Sequence, residues 1–233
     1  MAEKRLYKAA DAAAVVGIDQ SATGTAAVAL DAAGKLLGVL FWADTKSGAK
    51  ALADRGALPP REVKAGDEAG RAARLEELRV QLGGFLSEWT PAHAALEDYA
   101  LARMAYSHHL GEVGAVVRLL LWARGIPYRV YDVQAVKLFA TGNGNAEKAE
   151  VVIACRDRWD LNFLEYGKTT GAGGNVADAF VIAQLLRTEV ALRAGTLRLE
   201  DLPEAERRVF TRTSKQRPEN ILSTPFAQRE TFV

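Results

Sequence analysis

Val15-Val16-Gly17-Ile18-Asp19 is an apolar run that ends on a carboxylate. A short, uninterrupted apolar run beside turn-forming residues has the signature of a buried strand, so Asp19 is expected at a strand end. Thr25 to Leu30 and Leu36 to Trp42 read as two further strands joined by the Asp31-Ala32-Ala33-Gly34 turn, which makes a three-stranded meander. Two more acids end or sit within apolar stretches, Glu97 in Ala94-Ala95-Leu96-Glu97 and Asp178 in Asn175-Val176-Ala177-Asp178-Ala179-Phe180. If the fold brings the three together they form a site for Mg²⁺, because clustered carboxylates repel one another until a divalent cation offsets their charge.

Outward from that first strand, residues 44 to 68 lose all periodicity and read as a loop insertion, with Pro59-Pro60 inside it. A helix from about Glu68 to Trp89 follows, with Leu75, Leu78, Leu82, Phe85 and Leu86 at helical spacing. Ala92 to Glu97 is a fourth strand, Tyr99 to His109 a loop rich in aromatic and polar groups, and the chain is then helical to Ala123. Pro127 to Tyr131 is a fifth strand, followed by a helix holding Gln134 to Phe139, the Gly142-Asn143-Gly144-Asn145 loop, and a helix over Ala146 to Arg158. A last long helix carries Asp178 near its start and runs toward Leu192. A meander followed by strands alternating with helices predicts an α/β fold, a mixed sheet flanked by helices.

The 233 residues, 49% of them hydrophobic, suffice for one domain with appendages: an extension over 1–14, the body over 15–195 and a polar, partly basic tail over 196–233. A formal charge of +1 excludes attraction to a polyanion through bulk charge, so nucleic acid would have to meet a local basic surface. The tail holds Arg207, Arg208, Arg212, Lys215 and Arg217, and reads either as a solvated segment or as a DNA-contacting arm. Cys155, the single cysteine, excludes intrachain disulfides and cysteine-based zinc sites and reads as a small buried residue. Glu3 and Asp11 interrupt any signal-peptide core and no stretch is apolar enough to span a bilayer, so the expected location is cytoplasmic, with no membrane partner. His93, His108 and His109 are spaced unsuitably for a shared ion and receive no ligand role.

Gly17-Ile18-Asp19 followed by Thr23-Gly24, Leu96-Glu97 before an aromatic loop, the block Val136 to Lys148, and Val176-Ala177-Asp178-Ala179-Phe180-Val181-Ile182-Ala183 occur in an order that resembles the RuvC family of Holliday junction resolvases, within the RNase H-like nuclease superfamily. The resemblance spans most of residues 15 to 190 and implies an RNase H-like five-stranded mixed sheet. It implies a structure-selective endonuclease that resolves four-way junctions by paired symmetric nicks, using two Mg²⁺ ions per site, with Mn²⁺ able to substitute. Asp19, Glu97 and Asp178 are the implied catalytic ligands, Asp19 shared between the ions, and Lys137 and Lys148 match the family's two lysines that contribute to cleavage. Tyr99, Arg103 and Tyr106 after Glu97, and Asn143 and Asn145 in the glycine loop, are the implied DNA contacts, Tyr99 by stacking on an unpaired base.

Two departures stand out. Gln20-Ser21 replaces the family's proline and glycine after the first aspartate, and Asn175 stands where a fourth acid is expected. Three residues before Asp178 on a helix, Asn175 shares its face and is expected to serve as a neutral metal ligand through its amide oxygen. A near two-fold junction calls for two equivalent sites and hence a homodimer, and the helix with Val113, Val116, Val117, Leu120 and Leu121 is apolar over an arc wide enough for a subunit core and a partner. Three other readings stay open: a non-catalytic branched-DNA-binding protein; an actin-like ATPase, since Gly17 to Gly24 also resembles that superfamily's phosphate hairpin; and, within the same fold, a nuclease for flaps or forks.

Overall fold

The computed structural model describes residues 14–21, 24–43, 68–98, 107–213 and 219–229. β1 (Val15–Asp19), β2 (Gly24–Leu30) and β3 (Leu36–Ala43) form the expected antiparallel meander. α1 (Glu68–Trp89) and β4 (His93–Glu97) follow, then α2 (Ser107–Ala123) and β5 (Tyr128–Tyr131). α3 (Val133–Thr141), α4 (Lys148–Trp159), α5 (Ala172–Arg193) and α6 (Glu204–Thr211) complete the order. The sheet runs β3-β2-β1-β4-β5, with β4 and β5 parallel to β1, so it is mixed and five-stranded.

Strand alternation sends side chains to two separate cores. Val16, Ile18, Ala27, Ala29, Ala94 and Leu96 face α1 and α2, packing on Leu78, Leu82, Leu86, Val113, Val117 and Leu121. Val15, Ala26, Val28 and Ala95 face the other way, onto α3 to α6, with Phe139, Val176, Phe180 and Phe210 among their partners. β1, central and covered on both sides, is buried at every position, which is why it reads as a continuous apolar run. Asp19 and Glu97 share the parity of Gly17 and Ala95, so both belong to the α5 side.

α5 lies against β1 at backbone distance. A β-carbon on Gly17 would stand 2.2 Å from the Ala179 carbonyl oxygen and 2.4 Å from the Ala183 nitrogen, so glycine is what lets helix and strand touch. α3 begins with the Asp132 carboxylate accepting from the Ala135 N–H at 2.8 Å and ends at Gly142, whose φ of 80° is a left-handed stop that suits glycine. The Glu147 N–H donates to Glu150 at 2.6 Å and opens α4, fixing Lys148 as its first residue.

The solvated-tail reading is corrected for the described part of residues 196–233. Val209 and Phe210 of α6 are buried, and Arg158 pairs with Glu206. Beyond, Ala227 adds an antiparallel bridge to Tyr128 at the β5 edge, with bonds of 2.8 and 2.9 Å. The segment is anchored by Arg129 of β5, which donates to the Thr224 and Pro225 carbonyls at 2.8 and 3.0 Å and pairs with Glu189, itself fully buried and receiving the Tyr131 hydroxyl at 2.6 Å. Arg207 and Arg208 are exposed on α6, whereas Lys215, Arg217, residues 1–13 of the 1–14 extension and nearly all of the 44–68 insertion lie outside the described residues. Among the described residues, no helix is long and apolar enough to cross a membrane.

Candidate active site

β1 and β4 run parallel with Ile18 opposite Leu96, so Asp19 and Glu97 end neighbouring strands at the same edge of the sheet. Gln20 locks these ends together, its side-chain N–H donating to the Glu97 backbone carbonyl at 2.6 Å. The position at which the sequence departs from the family it resembles therefore has a defined task, invisible in sequence because the bond spans 77 residues. Among the described residues, no donor reaches the buried Gln20 Oε1 atom.

Asp178 enters from α5. Lys148, at the start of α4, reaches across so that its ammonium lies 2.9 Å from Asp178 Oδ2 and 2.6 Å from Asn175 Oδ1. The Asn175 amide N–H donates to the Gly24 carbonyl at 2.6 Å. Asn175 Oδ1, the atom expected to serve as a neutral metal ligand, thus accepts from the Lys148 ammonium. Lys137 on α3 is half-buried and close enough to Glu97 and Asp178 to stabilise their charge.

The electrostatics show three carboxyls under strain. Burial, then the nearby Asp178, push the Asp19 carboxyl from its ordinary 3.8 to about 7, with Lys148 opposing. Glu97 is raised well above the usual carboxylate range by burial and by both Asp19 and Asp178. Asp178 is raised by burial, against the pull of Lys148 and Lys137. Burial alone would lower the Lys148 ammonium, but Asp178, Asp19 and Glu97 outweigh it and hold it raised.

This donor set fits a hard divalent cation: carboxylate oxygens whose charged forms are disfavoured until a cation arrives. Among the described residues, no three Asp, Glu, His or Cys side chains converge closely enough to hold an ion by themselves. Mg²⁺ does not need three, since it keeps several waters and takes one or two carboxylates.

The remaining site residues expected from the sequence distribute as follows. Asn143 and Asn145 are exposed on the α3–α4 loop, between the helices carrying Lys137 and Lys148, with the Asn145 N–H donating to Asn143 Oδ1 at 3.0 Å. Tyr99, Arg103 and Tyr106 lie outside the described residues. His93 packs against Phe226 with ring centres 4.8 Å apart and planes tilted by 45°, and His109 faces Glu112 at 3.4 Å. Gly174 had no sequence signal of its own: a β-carbon there would meet Lys148 Cε at 2.5 Å, so the glycine clears the lysine's path to Asp178.

No family model matches the chain. It is 36% identical over 123 residues to the crossover junction endodeoxyribonuclease RuvC of Nitratidesulfovibrio vulgaris, covering 50% of this chain and 70% of that protein. It is 27% identical over 131 residues to the protein of the same name from Beijerinckia indica, covering 54% and 71%. Among solved structures, Thermus thermophilus RuvC superposes with a TM-score of 0.52 at 22% identity, over 78% of this chain and 96% of that one. T. thermophilus RuvC in complex with a Holliday junction substrate superposes with a TM-score of 0.53 at 19% identity. The fold is thus the RNase H-like mixed sheet, with acids at the ends of its two central parallel strands facing an acid on the helix above. The chain belongs to the RuvC family of crossover junction endodeoxyribonucleases. Membership in this family sets the actin-like alternative aside.

Proposed function

We propose that this protein cuts branched DNA, four-way junctions above all, by metal-dependent hydrolysis of a phosphodiester, nicking two opposed strands symmetrically. The observation that supports the reading is the placement of Asp19, Glu97 and Asp178 within electrostatic reach of one another and of Lys148, which pairs with Asp178 at 2.9 Å, in a chain of this family. Two Mg²⁺ ions, or Mn²⁺ in their place, would be held by these carboxylates and, when bound, stabilise the attacking and leaving oxygens.

Asp19 sits at the end of a strand buried throughout, so its carboxylate is presented on rigid backbone to both neighbours and is the natural shared ligand. Glu97 and Asp178 flank it, one from the adjacent strand and one from α5. Lys148 and Lys137 supply compact positive charge that can offset the charge gathering on the scissile phosphate. Asn143 and Asn145, exposed between the two lysine helices, are suited to contact the backbone of the bound strand. Tyr99, Arg103 and Tyr106 follow Glu97 directly in sequence and belong to the proposal through the family resemblance, as a stacking loop for unpaired bases.

Cutting both strands of a near two-fold junction requires two such sites, and we assign the protein a homodimer. Val113, Val117, Leu120 and Leu121 of α2 are buried in the subunit's own core, while Leu119 and Trp122 remain 67% and 41% exposed, an apolar outer edge suited to a second copy. The domain assignment follows: residues 15–195 form the nuclease body, with the 44–68 insertion and the C-terminal segment as additions to it.

The test is to incubate the protein with a labelled four-way junction and a matched linear duplex in Mg²⁺, Mn²⁺ or chelator. Paired symmetric nicks on the junction alone, in metal alone, are the expected result. Tight junction binding without cleavage in any metal would replace this reading with that of a non-catalytic binder.

A further inference from the structure

Asn175 makes two short contacts of opposite polarity. Its oxygen accepts from the Lys148 ammonium at 2.6 Å, and its N–H donates to the Gly24 carbonyl at 2.6 Å. Only an amide satisfies both: a carboxylate has no hydrogen to give Gly24, and a flipped amide would oppose donor to donor and acceptor to acceptor. Among the described residues the surroundings are close-packed. Asn175 is 9% exposed, and Gly24 approaches so closely that a β-carbon there would sit 3.2 Å from the Asn175 nitrogen and 2.8 Å from the Phe41 ring. Lys148 is confined on another side by Gly174, where a β-carbon would meet its Cε at 2.5 Å.

We infer that Asn175 is a positioning residue, not a metal ligand: it holds the Lys148 ammonium beside Asp178 and ties α5 to the first residue of β2, next to the strand that presents Asp19. The asparagine is therefore matched to its site in this chain, where an aspartate would set a second acceptor oxygen against the Gly24 carbonyl. Metal binding is then left to the carboxylates, and the amide governs where the lysine's charge lies. The cleavage part of this inference rests on the proposed nuclease reading; the metal-affinity and stability parts do not.

The experiment compares the wild type with Asn175→Ala, Lys148→Ala and the double variant. Mn²⁺ affinity of the DNA-free protein is measured by calorimetry, melting in chelator by circular dichroism, and single-turnover cleavage on a saturating pre-bound junction. Asn175→Ala is expected to leave Mn²⁺ affinity within about twofold and junction affinity unchanged, and to slow the single-turnover step by about tenfold or more. In the Lys148→Ala background it should slow cleavage no further, and the two melting shifts should fail to add, as for residues in direct contact. A loss of Mn²⁺ affinity of about tenfold or more would make Asn175 a ligand and overturn the inference, as would additive losses in cleavage. If the wild type cuts nothing, the nuclease reading fails on its own, and Mn²⁺ affinity with the melting cycle still decides the inference. Asn175→Ser, closer in size but too short to bridge both partners, replaces the alanine variant if that does not fold.

Discussion

Replacing Gly17 by alanine tests how the sheet and α5 together set the site. The added methyl carbon would lie 2.2 Å from the Ala179 carbonyl oxygen and 2.4 Å from the Ala183 nitrogen, and both are helix backbone that no rotamer change can move. Reaching ordinary van der Waals separation requires α5 to retreat by about 1 Å. Overpacking of this kind costs about 1 to 3 kcal/mol, and a clash with backbone belongs at the upper end. For a protein of this size about 3 kcal/mol lowers Tm by about 6 to 12 °C. Because Asp178 immediately precedes Ala179 and Asp19 lies two residues past Gly17, the same displacement widens the gap between the two carboxylates. A misplacement of about 1 Å can reduce a cleavage rate about 100-fold. The assays are thermal unfolding in chelator and single-turnover junction cleavage in Mg²⁺. Gly84→Ala is the control: no described residue stands within 4 Å of its added carbon, so the change should raise stability by about 0.5 to 1 kcal/mol, the helix propensity gain alone. A Gly17→Ala variant melting within about 2 °C of the wild type and cutting at its rate would refute the claimed closeness of α5 to β1.

Other consequences are equally open to measurement. Since the Asp19 carboxyl rises from 3.8 to about 7 on folding, the folded state binds more protons across that interval, and in chelator stability should fall as pH rises from about 4 to 7. The fall attributable to Asp19 is on the order of 4 kcal/mol, and saturating Mg²⁺ should remove most of it; urea unfolding that is flat with pH in chelator would contradict the raised carboxyl. Arg129→Ala leaves Glu189 buried with Arg193 and Tyr131 but without its main cation, and should cost about 3 kcal/mol in urea unfolding, with the 219–229 segment turning protease-sensitive. An unchanged midpoint would remove that network from the account of stability. Leu119→Glu places a charge on an exposed edge, so it should convert dimer to monomer in sedimentation with Tm unchanged by more than about 2 °C; persistent dimers would move the interface elsewhere.

What the sequence disclosed, it disclosed through local pattern. β1 was legible because a strand covered on both faces carries no polar residue until it reaches Asp19, and α1 because Leu78, Leu82, Phe85 and Leu86 recur on one face between Glu68 and Trp89. The acids were legible as charges ending such runs. What escaped was pairing across sequence distance. Neither the Gln20 bond to the Glu97 carbonyl nor the Asn175 bond to Gly24, 151 residues away, leaves any periodicity behind. The sequence therefore pointed to Asn175 as a metal ligand and gave no sign of its bonds to a lysine and a carbonyl. The C-terminal part was misread for a related reason. Its few apolar anchors, Val209, Phe210 and Phe226, are scattered among polar residues, and its attachment depends on Arg129, whose guanidinium donates to the Thr224 and Pro225 carbonyls about 95 residues on.

The measurement that bears most directly on the central claim is the comparison of wild type and Asp19→Asn on a labelled four-way junction, following binding and cleavage in the same Mg²⁺ buffer. The substitution keeps size and removes the charge at the end of β1, so the variant should bind the junction with wild-type affinity and make no symmetric nicks. Cleavage by the variant at the wild-type rate would contradict the account, because Asp19 would then not be the carboxylate around which the site is built.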